Sequence, residues 1–251
     1  MGTQALILGG TTEATALARA VADAGINGIV SFAGRVDRPV RQPLPQRVGG
    51  FGGVPGLIDY VRSSGTTHMI DATHPFAAQM SYNAVAACAA CDIPLVALTR
   101  SAWRASEGDV WTHVPDIAGA VSALARPACR VMLAVGRMHL AEFAPNPQHS
   151  YLLRLVDPPK AALPLPDTHV IVDRGPFTVE NDQALMRHHK IDIVVSKNAG
   201  GSGASAKIVA ARNLGLPVIM IARPKQPKRR ELSSPAQVLE WLCHGAIDRG
   251  V

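Results

Sequence analysis

Aromatic residues are scarce in this sequence: Phe, Trp and Tyr together supply 4% of 251 residues. That scarcity argues against stacking platforms for single-stranded nucleic acid. Cysteine is also sparse, at four, too few for a disulfide framework in a chain of this length. Cys88 and Cys91 form a C-x-x-C, but late in an Ala-rich helical stretch. A redox pair needs the low thiolate pKa of a helix N-terminus, so these two read as small core residues. No second pair completes a zinc site, and the nine histidines show no H-x-x-x-H spacing, so no metal site is expected. Long apolar runs are absent too; none reaches the roughly 18–20 residues that span a bilayer. The first ten residues lack a basic n-region and read as a buried strand. The expectation is a cytoplasmic protein with no membrane partner.

What is present describes an ordinary globular chain, 47% hydrophobic and 18% charged. The net charge of +6 permits an anionic partner, either nucleic acid or a polycarboxylate or phosphate ligand. No helix-turn-helix, zinc or RNP-type motif supports nucleic acid. Along the chain, short β-branched apolar runs alternate with Gly-rich turns and Ala-rich helical stretches. Strands are expected at Ala5–Leu8, Gly28–Phe32, His68–Asp71 and Pro94–Leu98, then at Val131–Val135, Tyr151–Val156, His169–Val172, Ile193–Val195 and Val218–Ile221. Helices fall between them, and the crossovers are long enough for right-handed parallel connections. The polar stretch from Thr99 to Trp111 interrupts the rhythm. The pattern implies an α/β protein of two doubly wound Rossmann-like domains, with mostly parallel sheets facing a cleft. Residues 1–100 form the first domain and 101–251 the second, and a monomer is expected.

Three places in the first half carry chemistry. Gly9-Gly10-Thr11-Thr12-Glu13 stands where strand one meets helix one, so backbone amides at the helix start can hold a phosphate. The match to G-x-G-x-x-G is imperfect, and a plain tight turn is the alternative. Strand two ends in Ser31, with Arg35 and Arg38 beyond and no acid at the strand end. An NAD site wants Asp or Glu there, whereas hydroxyl and guanidinium groups suit the 2′-phosphate of NADPH. The same arginines also fit exposed loop charges. Asp71-Ala72-Thr73-His74-Pro75-Phe76 follows strand three at the carboxyl edge, where doubly wound sheets bind ligands. Asp71, Thr73 and His74 are candidates to face the nicotinamide ribose or the substrate, and His74 to donate a proton; a capping role for His74 is the alternative.

In the second half, polar corners follow three strands: Gly136-Arg137, Arg174-Gly175-Pro176-Phe177, and Ser196-Lys197-Asn198 leading into Gly200-Gly201. Arg137, Arg174 and Lys197 can bind carboxylates; Phe177, Ser196, Asn198 and Gly201 accompany them as substrate-binding candidates. The last corner is not a Walker A loop, because Lys207 follows Ala206 and precedes Ile208. The run Arg223–Arg230 is the one dense basic stretch, a solvated loop or an anion contact.

These segments together resemble the precorrin-6A reductases of cobalamin biosynthesis. The resemblance rests on Ile7–Ala14, Asp71–Ser81, Ile93–Leu95, Ala134–Arg137, Arg174–Phe177, Ser196–Gly201 and Ala206–Met220, with Ser205 where Thr is expected. It implies NADPH-dependent reduction of a double bond in the precorrin-6A macrocycle to give precorrin-6B, on a polycarboxylate tetrapyrrole whose acidity suits the positive chain. A non-catalytic NADPH-binding sensor, or an oxidoreductase of another acidic small molecule, is the alternative. A short-chain-type enzyme is disfavoured, since Tyr60, Tyr82 and Tyr151 are followed four residues later by Ser64, Ala86 and Leu155 rather than Lys.

Overall fold

The computed structural model describes residues 2–34 and 41–247; the expected phosphate contacts Arg35 and Arg38 lie outside the described residues. In the first sheet, β1 (Gln4–Leu8) is central. It is flanked by β2 (Asn27–Phe32) and β3 (Gln46–Val48) on one side, and by β4 (His68–Asp71) and β5 (Leu95–Leu98) on the other. All pairings are parallel. The crossovers are α1 (Thr12–Asp23), α2 (Gly53–Ser63) and α3 (Ala78–Cys91).

Successive side chains of a strand point to opposite faces, and β1 sorts its residues accordingly. Ala5 and Ile7 pack with Leu17, Ala18 and Val21 of α1, while Leu6 and Leu8 pack with Leu57 of α2 and Ala84 of α3. Both faces are covered, which is why β1 reads as an unbroken apolar run. Thr11 starts α1: its Oγ1 accepts from the Ala14 amide at 3.1 Å and donates to the Ala72 carbonyl at 2.9 Å. One hydroxyl thus caps the helix and ties the glycine turn to the segment after β4.

The second unit repeats the arrangement. Its strands are β6 (Val110–Val114), β7 (Arg130–Ala134), β8 (Ser150–Leu155), β9 (Thr168–Val172), β10 (Ile193–Lys197) and β11 (Pro217–Ile221), with β7 and β10 at the centre. Every pairing is again parallel. α4 (Ile117–Ala123), a 3-10 helix at Arg137–Phe143, α5 (Val179–His188) and α6 (Ala206–Asn213) complete it. Met132, Val194, Ile208 and Met220 meet in its core.

The expected division at residue 100 differs from the structure at the C-terminal end. Residues 102–224 form the second unit, while the chain from Lys225 onward joins the first. There β12 (Arg230–Leu232) extends the first sheet by pairing with β5, and α7 (Pro235–Ile247) lays Val238 and Leu242 into the core beside α1. The physical reason is an open edge: β5 has no partner on its outer side until β12 arrives. The final sheet orders are β12-β5-β4-β1-β2-β3 and β6-β11-β10-β7-β8-β9. The strand beyond β5 comes from after β11, and the strand beyond β11 from after β5. Among the described residues no helix is long and apolar enough to cross a membrane.

Candidate functional site

Parallel sheets place their ligand-facing groups at the carboxyl edge. In the first unit that edge brings together the glycine turn, Ser31 and the Asp71–Phe76 segment. The Gly9 amide donates to the Ser31 carbonyl at 2.9 Å, and the Ala72 amide to the Leu8 carbonyl at 3.0 Å. Gly10 holds φ at +119°, and a Cβ added there would meet nothing within 4 Å, so the backbone is approachable from outside. The first turn of a helix carries amides without intrahelical acceptors. Thr11 takes that of Ala14; Thr12 and Glu13 lie beside it. Glu13 pairs with Arg100, just past β5, so its carboxylate acts within the protein.

Asp71 is 3% exposed and held from three directions. Its Oδ1 accepts from the Thr73 amide at 3.1 Å and the Thr73 hydroxyl at 2.6 Å. Oδ2 accepts from the Ser81 hydroxyl at 2.6 Å and faces an Arg229 nitrogen at 3.1 Å. Asp71 and Thr73 therefore shape the loop from within. His74 Nδ1 accepts from the Phe76 amide at 3.2 Å, which in a neutral ring leaves the proton on Nε2. The basic run, expected as a loop or an anion contact, supplies Arg229 to Asp71, Gln226 to the Pro75 carbonyl at 2.7 Å, and Arg223 to the carbonyls of Asn198 and Ala199. The anion it meets is the protein's own carboxylate.

Sequence reasoning missed Arg47. It lies on β3 directly across from Ser31, and its Nη1 donates to the Ser31 hydroxyl at 2.8 Å. Its guanidinium carbon sits 3.9 Å from the Phe51 ring centroid. The only available signal was a basic residue before a Gly-rich turn, and a three-residue edge strand is too short to show periodicity.

In the second unit, Arg137, Arg174, Phe177, Ser196, Lys197, Asn198 and Gly201 all follow β7, β9 or end β10, so they share that sheet's carboxyl edge. Their surroundings differ. Arg137 is exposed, Arg174 pairs with Asp157, and Ser196 is fully buried. Asn198 uses both amide atoms on the Trp103 backbone, at 2.8 and 2.9 Å, and the Gly201 carbonyl accepts from the Trp103 indole at 2.7 Å. The missed residues here are Arg154, Asp182 and Lys207. Arg154 pairs with buried Asp182 and lies 3.9 Å from the Phe177 ring centroid. Lys207, 6% exposed, donates to the Ala204 carbonyl at 2.7 Å and lies 5.0 Å from the Trp103 ring. Burial, aided by Arg154 and opposed by Asp182, pushes its ammonium down to about 8. Among the described residues, no group of three or more His, Cys, Asp and Glu side chains is placed to hold a metal ion.

Two six-stranded parallel sheets, each with polar loops gathered at its carboxyl edge, define an α/β protein of the Rossmann-like class. The family model for precorrin-6x reductase CbiJ/CobK matches residues 4–243, and the chain belongs to that family. It is 57% identical to the precorrin-6A reductase of Rhodobacter capsulatus, over 99% of this chain and 100% of that protein. It is 45% identical to the precorrin-6A reductase of a Sinorhizobium species, over 95% and 92% of the two chains. A cobalt-precorrin-6A reductase from Priestia megaterium is 32% identical across 97% of this chain and 98% of its own. The solved structure described as CobK precorrin-6A reductase superposes with a TM-score of 0.94 at 57% identity, covering 96% of each chain.

Proposed function

We propose that this protein reduces precorrin-6A to precorrin-6B, using NADPH bound at the carboxyl edge of the first sheet and holding the tetrapyrrole through the second unit. One observation supports the cofactor reading above others. Near the carboxyl end of β2 the Ser31 hydroxyl accepts from the Arg47 guanidinium of β3, a pair suited to a phosphate rather than to ribose hydroxyls. The open backbone at Gly10 and the start of α1 suit the diphosphate. NADPH supplies the hydride when bound.

The chain's own residues bind and orient the reactants. Thr11 keeps the glycine turn and the Asp71–Phe76 segment in fixed register through the Ala72 carbonyl. His74, with Nδ1 accepting from the Phe76 amide, carries its proton on Nε2 and serves to position the substrate or the water that supplies a proton to the carbon beside the one that receives hydride. Arg137, Arg174 and Lys197 offer positive charge at the second edge for acetate and propionate side chains. The reading also takes the protein to be a cytoplasmic monomer. Incubation with NADPH and authentic precorrin-6A should consume the reduced nicotinamide absorbance and give a product heavier by one hydride and one proton. No consumption with authentic substrate sinks the proposal.

A further inference from the structure

We propose that Arg47 is the residue that discriminates NADPH from NADH, reading the 2′-phosphate through a guanidinium fixed in advance by the protein; this rests on the NADPH reading above.

The buried and half-buried arginines of this protein are mostly paired. Arg100 faces Glu13, Arg154 faces Asp182, Arg212 faces Asp109 and Arg229 faces Asp71. Arg47 is half-buried, yet among the described residues no carboxylate lies within ion-pair distance of it. Its hydrogen-bond partners are all neutral: the Ser31 hydroxyl at 2.8 Å, the Gly49 carbonyl at 3.0 Å and the Gly50 carbonyl at 3.2 Å. One face of its plane lies over Phe51, and Tyr60 stands 5.0 Å away. Taking a cation partly out of water without a counter-ion is costly. Neutral acceptors orient the group without neutralising it, so its charge remains able to attract an anion.

Position indicates which anion. Ser31 is buried and pairs with Leu8, the residue just before the glycine turn, while Arg47 pairs with Ser31 on the far side. Two inter-strand steps, about 10 Å, separate the start of the glycine turn from Arg47, the breadth of one nucleoside. A dinucleotide with its diphosphate at Gly10 therefore brings the adenosine ribose towards Ser31 and Arg47. A guanidinium already oriented by three bonds and an aromatic face loses little entropy when it binds a phosphate.

The Phe51 turn is built closely around this residue. Gly56, in the first turn of α2, would place a Cβ 1.7 Å from the Phe51 carbonyl oxygen. Only glycine allows the turn, and hence the ring under Arg47, to lie so near the helix.

The test is binding of adenosine 2′,5′-bisphosphate against 5′-AMP to the intact protein by calorimetry, with NADPH and NADH kinetics alongside. The wild type should favour the 2′-phosphorylated probe about 100-fold, and Arg47→Ala should lose about 10- to 100-fold of its affinity for that probe. Affinity for 5′-AMP should change less than about threefold. Arg47→Lys, which keeps charge but not the planar fork, should fall between, and it serves if the alanine variant unfolds. If Arg47→Ala weakens both probes alike, or neither, Arg47 only braces its turn and the proposal is overturned. If the wild type shows no preference for the 2′-phosphate, the NADPH reading itself fails, a separate and recognisable result.

Discussion

Asparagine at position 71 should be among the most damaging conservative changes in this protein. The two carboxylate oxygens of Asp71 face separate sets of donors: the amide and hydroxyl of Thr73 on one side, the Ser81 hydroxyl and Arg229 on the other. An amide side chain has one acceptor oxygen, so whichever way Asn is turned its NH₂ group meets donors. Arg229, whose side chain is 8% exposed, loses its buried counter-ion, and Glu231 at 3.9 Å is a poor substitute because it is 52% exposed. Breaking a buried pair from one side costs about 3–5 kcal/mol, and stranding a neutral donor adds about 1–3 kcal/mol. We expect Asp71→Asn to lose roughly 4 kcal/mol, read by urea unfolding followed by far-UV circular dichroism, with Tm lower by about 10 °C. Arg229→Met should cost less, because Asp71 keeps Thr73 and Ser81. The double variant should fall short of additivity by about 2 kcal/mol. A loss under about 1 kcal/mol for Asp71→Asn, or strict additivity, refutes the view that this carboxylate locks β4 to the returning chain.

Lys207 gives a pH-dependent prediction. Its ammonium falls from the ordinary 10.5 to about 8. Below 8 it is protonated in both folded and unfolded chains and its desolvation weighs fully against folding. Between 8 and 10.5 the unfolded chain holds the proton and the folded one gives it up, so stability rises with pH. Relative to Lys207→Met, the wild type should gain up to roughly 3 kcal/mol across that window; parallel profiles for the two proteins would contradict this origin. Gly56→Ala should cost about 1–3 kcal/mol through overpacking and weaken adenosine 2′,5′-bisphosphate more than 5′-AMP. Unchanged melting would show that the Phe51 turn yields freely.

Much of the central sheet was legible in the sequence, and the reason lies in burial. β1, β4, β10 and β11 are covered on both faces and so appear as short continuous apolar runs. β3, β6 and β12 escaped notice, and all three are edge strands. An edge strand pairs on one side and is blunted by charge and polarity; Gln46-Arg47-Val48 and Arg230-Glu231-Leu232 are brief and polar, with no apolar period to detect. Val110–Val114 alternates, but it sits at the end of the polar interruption and looked like part of it. The glycine turn and the Asp71–Phe76 segment were recognisable because their chemistry is local. Arg47, Lys207 and the Asp71–Arg229 pair were not, because each depends on a partner supplied by another element. Arg229 is 158 positions from Asp71 in the chain, and a basic residue in a loop carries no mark of the carboxylate it will meet.

The reciprocal placing of β12 and β6 bears on how this molecule is made. A nascent chain that has emerged as far as Ser101 has β1 to β5 in hand, but the outer side of β5 stays bare until Leu232 has left the ribosome. The first half must therefore wait, with an unpaired edge and without the α7 side chains of its core, while the whole of the second half is synthesised. Cutting the gene between β5 and β6 should yield two sticky, incomplete fragments rather than two independent modules.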